Sequence, residues 1–259
     1  MSLRKDPGAA NNVRLFKIRK NLTRLADRLG FAISVDEKGL FLDNPLEPDY
    51  RRFAAYYSAK ALSTERIHEW EPEVSSLDRD FRQALSSIYS GKTNENDKLI
   101  VYFAVPDKKS ETKIGSAIVT KFTDEMMKLN TTKTAWNITR IIFVAPGKEL
   151  SSTAAKSGFD SLMFEKTLYF DHELLVDPLT SYLAATYEPI TDSKSIRETI
   201  ESHGSMSENI MAINDPISKY YNLKPGDIVR IYNTNLDQKV LGAYTIAYRM
   251  VSSISSSFG

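Results

Sequence analysis

The sequence predicts an α/β domain with a mixed sheet and flanking helices, followed by a small α+β domain. The unbroken apolar run from Lys98 to Val105 is typical of a strand buried on both faces. Asn137 to Ala145 and Lys166 to Phe170 are further β-rich runs. Helical patterns over residues 114–129 and 149–158 separate these runs. The alternation of strands and helices predicts an α/β layer.

The first part of the chain is predicted to be helical. We expect residues 1–10 to be a disordered lead and residues 11–30 to form an amphipathic helix that ends at Gly30. Phe31 to Ser34 then begins an extended segment. The apolar residues of the helix recur at the spacing of one buried face: Leu15, Ile18, Leu22, Leu25 and Leu29.

Two more helices are predicted before the first strand. Asp49 is suited to cap a helix that runs to Leu62, and Ser76 is suited to cap a helix that runs to Tyr89. In the second helix the apolar positions share one face: Leu77, Phe81, Leu85 and Ile88. Further along the chain, Gly158 is predicted to stop the helix that begins at residue 149.

The pattern changes after Asp171, where a second domain is expected. Weak helical patterns cover residues 177–187 and 193–203, and strands are predicted over 226–233 and 239–250. We therefore expect a domain boundary near residues 165–175. The predicted division is an N-terminal α/β domain of residues 11–165 and a C-terminal domain of residues 166–259.

Composition excludes several classes of function. The chain has 259 residues, no cysteine, three histidines and a net charge of +1. Disulfides and thiolate metal sites are therefore excluded, and with three histidines we do not expect a His-rich metal site. No apolar run is long enough to span a membrane and no signal-peptide pattern is present, so an intracellular soluble protein is expected. The small net charge predicts that any contact with nucleic acid is local.

The segment from Asn214 to Ile231 is the most informative part of the sequence. Asp215 is a helix N-cap residue, and Pro216 occupies the first helical position, where no N–H is needed. Asn222 stands where the short helix must end, and Asn tolerates the left-handed conformation of that position. Pro225-Gly226 predicts a type II turn, which leads into a β-rich run.

This segment resembles the C-terminal domain of the fifth shared subunit of eukaryotic nuclear RNA polymerases, a family that also has archaeal members. The family carries a run of the form Asp-Pro-Val-Ala-x-Tyr-x-Gly-Leu-Lys-Arg-Gly-x-Val-Val-Lys-Ile. Asn222 replaces the family Gly, and both residues accept a positive φ. The residues that match without a gap are Asp215, Pro216, Tyr220, Leu223, Lys224, Gly226, Val229 and Ile231.

Weaker similarities extend the resemblance along the chain. Arg28-Leu-Gly-Phe31 is similar to the end of the family's first helix. His172-Glu-Leu-Leu-Val176 is similar to the opening of its C-terminal domain, and Gly242 to Arg249 is similar to its last strand. A Leu-Pro-Arg-Ile run of the family falls on Glu208 to Met211 and is lost. These features are typical of a divergent member.

The resemblance implies a non-catalytic subunit of a multisubunit DNA-dependent RNA polymerase. Its C-terminal domain would dock on the largest subunit, among the other core subunits, and its N-terminal jaw domain would face downstream duplex DNA. The resemblance implies no catalytic residue, cofactor, metal, small-molecule substrate or membrane contact, because the largest subunits of the polymerase hold its active-site magnesium. The expected location is the nucleus, or a cytoplasmic viral factory if the chain is viral. The residues assigned to the subunit interface are His172, Asp215, Pro216, Lys219, Tyr220, Leu223, Lys224, Gly226, Arg230, Tyr248 and Arg249.

A basic stripe on the first helix is the candidate for nucleic-acid contact. We define it as Lys17, Lys20, Arg24 and Arg28, which lie away from the leucine positions. Such a face suits weak, non-specific contact with phosphates. The alternative is an ordinary solvated helix face.

Two other functions remain open. Pro106-Asp107 with Glu111 and Lys113 has the residue types of a metal-dependent nuclease built on the sheet of residues 98–170. The short spacing favours a solvated turn instead. A free-standing binding module that uses the C-terminal domain is the third possibility.

Two short motifs do not support a catalytic function. Ser90 to Thr93 has the end of a P-loop but not its first Gly, and it follows a predicted helix rather than a strand. Asp171 and His172 are adjacent and so point to opposite faces of a strand, which argues against nucleophilic catalysis.

Overall fold

The computed structural model describes residues 7–43, 50–62, 81–106, 114–133, 135–147, 150, 152–180, 185–204, 206, 209–233 and 245–253. The chain divides into two compact units, Met1–Val176 and Asp177–Gly259. Both contain a mixed sheet with flanking helices, so the predicted mixed α/β architecture is confirmed at that level. No helix in the described part of the chain is long and apolar enough to cross a membrane.

The boundary between the units differs from the predicted one. The prediction places it after residue 165, whereas the division falls between Val176 and Asp177. The reason is that the strand Lys166–Phe170 pairs with Asn137–Ala145 and so belongs to the first sheet. The predicted disordered lead also differs, since residues 7–10 are helical and residues 1–6 lie outside the described part.

The first unit begins with a helical layer. Phe16, Phe53 and Phe41 bring three of its helices together, with ring centroids 5.3–6.0 Å apart. The stripe predicted for the first helix is buried, except that Leu29 is half-exposed. The helices of this layer are α1 (Pro7–Arg28), α2 (Val35–Phe41), α3 (Tyr50–Leu62) and α4 (Phe81–Ala84).

The sheet of the first unit follows in the order β1-β2-β3-β4. β1 pairs antiparallel with β2, and the other two pairs are parallel. Phe122, Phe143 and Phe159 pack together between the sheet and its two later helices. The elements are β1 (Ser87–Ser90), β2 (Asp97–Phe103), α5 (Ser116–Thr132), β3 (Asn137–Ala145), α6 (Thr153–Asp160) and β4 (Lys166–Phe170).

The second unit has the strand order β5-β7-β8-β6. The pairs β5–β7 and β7–β8 are antiparallel, and β6–β8 is parallel. Val229 and Ile231 of β7 pack with Ile217 of α8 on one face, while Ile228 packs with Ile196 and Ile200 of α7 on the other. The elements are β5 (Thr186–Ile190), α7 (Ser193–His203), β6 (Ile210–Ala212), α8 (Pro216–Tyr221), β7 (Ile228–Asn233) and β8 (Thr245–Ser252).

Three predicted helices were wrong in type or extent. The helix expected up to Tyr89 ends at Ala84, and Ser87–Ser90 is a strand because it pairs with β2. The C-terminal end of the helix expected over 177–187 belongs to β5, which pairs with β7. Gly158 does not stop α6, which continues to Asp160; a Cβ on Gly158 would lie 3.4 Å from Val119 of α5, so this Gly permits close helix packing.

The strand β1 also corrects one argument against a P-loop. Ser90 to Thr93 follows a strand after all. The segment nevertheless turns back at once into β2, which is antiparallel to β1, so no helix follows it to bind a phosphate.

Candidate interaction surfaces

The segment Asn214 to Ile231 folds locally as its residues predict. The Asp215 carboxylate accepts a hydrogen bond of 2.8 Å from the Ile217 N–H, which caps α8. Asn222 has φ 54° and ψ 45°, the left-handed conformation that ends the helix. Gly226 has φ 97°, and the Asp227 N–H donates to the Lys224 carbonyl at 3.0 Å. These values are those of a type II turn at Pro225-Gly226.

Burial separates the residues assigned to the interface in the second unit into three groups. Tyr220 and Leu223 are 6% and 5% exposed and belong to the interior of the second unit, so they stabilise its fold. Asp215, Lys219, Arg230 and Tyr248 are half-exposed. The exposed members are Pro216, Lys224, Gly226 and Arg249.

Arg230 takes part in a cross-strand polar cluster of the second sheet. Register places Glu188 of β5, Arg230 of β7 and Tyr248 of β8 side by side. Nη1 of Arg230 lies 3.1 Å from a carboxylate oxygen of Glu188 and donates to the Tyr232 hydroxyl at 3.3 Å. The guanidinium also lies 5.5 Å from the centre of the Tyr248 ring.

This cluster fixes the charge states of its members. The hydrogen bond with Tyr232 raises the pKa of Arg230. The Tyr232 hydroxyl donates to Glu188 at 2.6 Å and lowers the pKa of that carboxyl, with a further contribution from Arg230. The positive charge of Arg230 is therefore already matched by a carboxylate within its own sheet.

His172 lies in the first unit, apart in sequence from the other residues assigned to the interface. It follows β4 and is exposed. Its ring stacks on Phe170 at 6.1 Å, and Nδ1 lies 3.3 Å from the Gly147 carbonyl oxygen. The residue thus joins the segments that follow β3 and β4.

A buried ion pair at the same edge of the sheet was not predicted. Arg82 of α4 donates two hydrogen bonds of 2.7 and 2.8 Å to the Asp171 carboxylate. Its Nε also donates to the Ala104 carbonyl at 2.7 Å, just beyond β2. Arg14 of α1 lies 3.6 Å from the same carboxylate. Asp171 therefore ties helices α1 and α4 to the carboxyl ends of the strands.

The basic stripe has two kinds of member. Lys17 and Arg28 are exposed, while Lys20 and Arg24 are half-buried. Partial burial, and then the neighbouring charge of Arg24, lower the pKa of Lys20. The two end members of the stripe are therefore its most exposed residues.

A second unpredicted feature is a buried polar network around Arg19, whose side chain is fully buried. The guanidinium pairs with the Glu37 carboxylate, and it donates to the Tyr57 hydroxyl at 2.9 Å and the Ser87 hydroxyl at 2.8 Å. The Tyr57 hydroxyl donates to Glu37 at 2.8 Å. Burial alone would raise the pKa of Glu37, but Arg19 and Tyr57 outweigh it and lower that pKa. The sequence contained one signal, because Arg19 stands four residues after Leu15, on the apolar face of α1.

The residues of the nuclease hypothesis cannot be placed. Asp107, Glu111 and Lys113 lie outside the described residues. Within the described residues, no group of three or more His, Asp or Glu side chains could hold a metal ion.

No known protein-family model matches the sequence of this chain. Any function assigned to the chain therefore rests on its own residues and on the resemblance of its C-terminal segment.

Proposed function

We propose that this chain is a non-catalytic subunit of a multisubunit DNA-dependent RNA polymerase. In this proposal the C-terminal unit docks on the largest subunit, next to other core subunits. The N-terminal unit acts as a jaw that contacts downstream duplex DNA weakly and without sequence preference. The chain would act in the nucleus, or in a cytoplasmic viral factory if it is viral.

The observation that supports the proposal most is the fit between the family pattern and the backbone of residues 215–231. The pattern places a Gly where Asn222 adopts a left-handed conformation, and a second Gly where Gly226 has φ 97°. Both positions are therefore filled by residues that accept the positive φ found there. This agreement supports the resemblance at two positions of the run.

The exposed members of the segment suit a contact surface. Pro216, Lys224 and Arg249 are exposed, while Tyr220 and Leu223 are turned into the interior of the unit. Two of the cationic members, Lys224 and Arg249, are thus exposed and available for contact with a partner. Charged residues of this kind steer association and fix its register more than they add affinity.

Affinity purification tests the proposal. The tagged full-length chain, expressed in the cells that produce it, should co-elute with the large subunits of a polymerase, which mass spectrometry identifies. The double variant Lys224→Glu and Arg249→Glu should co-elute with much less of them, because both positions then repel an acidic partner surface.

The matched control is the exposed pair Lys156→Glu and Lys194→Glu, one on α6 and one on α7. It makes the same change of net charge elsewhere and should leave co-elution intact. A chain that is monodisperse alone and brings down no transcription machinery would instead favour a free-standing binding module.

A further inference from the structure

A cavity of about 340 Å³ opens at the free edge of β1 in the first unit. Residues 32–34 form one side of it, and the strand residues 87–90 form another. The side chains of Glu37, Tyr56 and Lys60 complete the lining. Its size is at the lower end of the range of small-molecule sites, which is roughly 300–1,000 Å³.

The backbone N–H and C=O of one β1 residue, Ile88, face this cavity without a hydrogen-bond partner among the described residues. The Gly91 N–H donates to the Asp97 carbonyl at 2.8 Å, so Gly91 and Asp97 form a hydrogen-bonded pair of the β1–β2 ladder. Since bonded and non-bonded pairs alternate, the N–H and C=O of Ile88 point away from β2. Within the described part of the chain, neither group has a hydrogen-bond partner.

The outward carbonyls on either side of Ile88 are already occupied. The Ser90 carbonyl accepts from the Ala32 N–H at 2.7 Å. The Ser86 carbonyl accepts from the Lys60 ammonium at 2.8 Å. Among the residues that the structure describes, Ile88 is therefore the one residue of this edge whose N–H and C=O are both open. One residue is too short for an added peptide strand, because strand addition uses the backbone of several consecutive residues.

The remaining pair of groups suits a flat ring. An extended residue presents its N–H and C=O side by side, and a heterocycle with an adjacent acceptor and donor can bond both at once. The cavity also contains the half-buried ring of Tyr56, and aromatic side chains stack on bases of any sequence. The lining also includes Ser34 and Ser90. Their hydroxyl oxygens accept from the Glu37 N–H and the Lys98 ammonium, and each hydroxyl keeps its own O–H to donate to a sugar.

Charge argues for a neutral ligand. Glu37 and Lys60 both belong to the lining and have opposite charges, so the lining has no net charge that would favour an anion or a cation.

We propose that this cavity binds a nucleobase, presented as a nucleoside, through the N–H and C=O of Ile88. The inference stands on the geometry of β1 and does not depend on the proposed polymerase role.

Titration of the full-length protein with adenosine, guanosine, cytidine and uridine tests the inference. Saturable binding of at least one nucleoside, followed by calorimetry or saturation-transfer NMR, is expected, with the base protons in closest contact. Ribose alone should not bind. Absence of saturable binding by all four nucleosides at millimolar concentration, or equal binding of ribose, would overturn the inference.

Two pairs of variants locate the site. Ile88→Pro removes the N–H that points away from β2, and Pro is compatible with an edge strand. It should weaken binding about tenfold, which corresponds to the free energy of one ordinary hydrogen bond. Ile88→Val keeps the N–H and should bind normally. Ala32→Trp fills the cavity from an exposed position and should abolish binding, whereas Ala32→Ser should not. If Ile88→Pro does not fold, the Ala32 pair decides, and equal affinity in both Ala32 variants would refute the site.

Discussion

The buried charges of the first unit are the features that residue chemistry explains best. The cationic side chain of Arg19 is fully buried. A buried charge is compatible with a stable fold only when it is paired with an opposite charge and hydrogen-bonded. Glu37 supplies the opposite charge, and Tyr57 bonds both partners. Three elements, α1, α2 and α3, are thereby joined at one point. Removal of a single partner leaves the other charge buried and unpaired, which is far less favourable than replacing both.

Glu37→Gln is predicted to destabilise the first unit in a pH-dependent way. At neutral pH the free energy of unfolding should fall by about 3–5 kcal/mol, because the Arg19 charge loses its partner. The pKa of Glu37 is lowered in the folded state, mainly by Arg19 against the effect of burial. Its contribution is therefore fully present above the unfolded value of about 4.3 and is lost as the pH falls through the folded value.

Urea unfolding of the wild type and the variant between neutral and acidic pH measures this effect. The difference in free energy of unfolding between the wild type and Glu37→Gln should be largest at neutral pH and should decrease as the pH falls. Asp36→Asn is the matched control, since Asp36 is the exposed neighbour in the same helix and its loss should change stability by less than about 1 kcal/mol. A gap that stays constant down to the acid transition would contradict the assigned role of Glu37.

At the scale of elements, the sequence predicted β3 and β4 but not β1. The bounds expected for β3 and β4 are those observed, because both runs are rich in β-branched and aromatic residues, Ile141 to Val144 above all. β1 was missed because Phe81, Leu85 and Ile88 happen to have helical spacing. Its four residues become a strand only through pairing with β2, which is a tertiary contact.

The candidate surfaces show the same division. The N-cap, the left-handed residue and the turn of the Asp215 segment could be predicted, since each depends on the local conformational freedom of one residue. The partner of Arg230 could not be predicted, because it depends on the register between β5 and β7. Lys224 and Arg230 are both cationic in the sequence, but Lys224 is exposed in the fold whereas Arg230 is half-buried.

Gly226→Val is predicted to destabilise the turn between α8 and β7. Among the residues that the structure describes, and apart from the two chain neighbours, no atom lies within 4 Å of an added Cβ, so we assign the loss to the backbone. The loss comes from φ 97°, which a β-branched residue resists, and we expect about 1–3 kcal/mol. Hydrogen exchange followed by mass spectrometry should show faster exchange in peptides that cover α8 and β7.

Gly226→Asn is the control for that experiment, because Asn is the other residue that type II turns accept at this position. It should exchange more slowly than the Val variant. Equal protection of wild type and Gly226→Val would count against the turn as a determinant of the unit.

At the scale of the whole molecule, a net charge of +1 provides no general attraction for nucleic acid. Contact with DNA must therefore come from a local group such as the basic stripe. Its exposed ends, Lys17 and Arg28, should contribute more than Lys20, whose pKa is lowered by partial burial and by Arg24. A contact of this kind depends strongly on salt and weakly on sequence.

Replacement of all four members of the basic stripe by Gln is predicted to weaken crosslinking to downstream DNA in the assembled polymerase. The fold should persist, because none of the four side chains is buried in the interior. The loss should be largest at low salt and disappear as salt screens the phosphates.

The control variant replaces four exposed lysines by Gln and so removes the same charge from helices α5, α6 and α7: Lys121, Lys128, Lys156 and Lys194. If both quadruple variants crosslink like the wild type at low salt, the stripe is a solvated helix face. If both lose crosslinking equally, total charge rather than the stripe carries the contact.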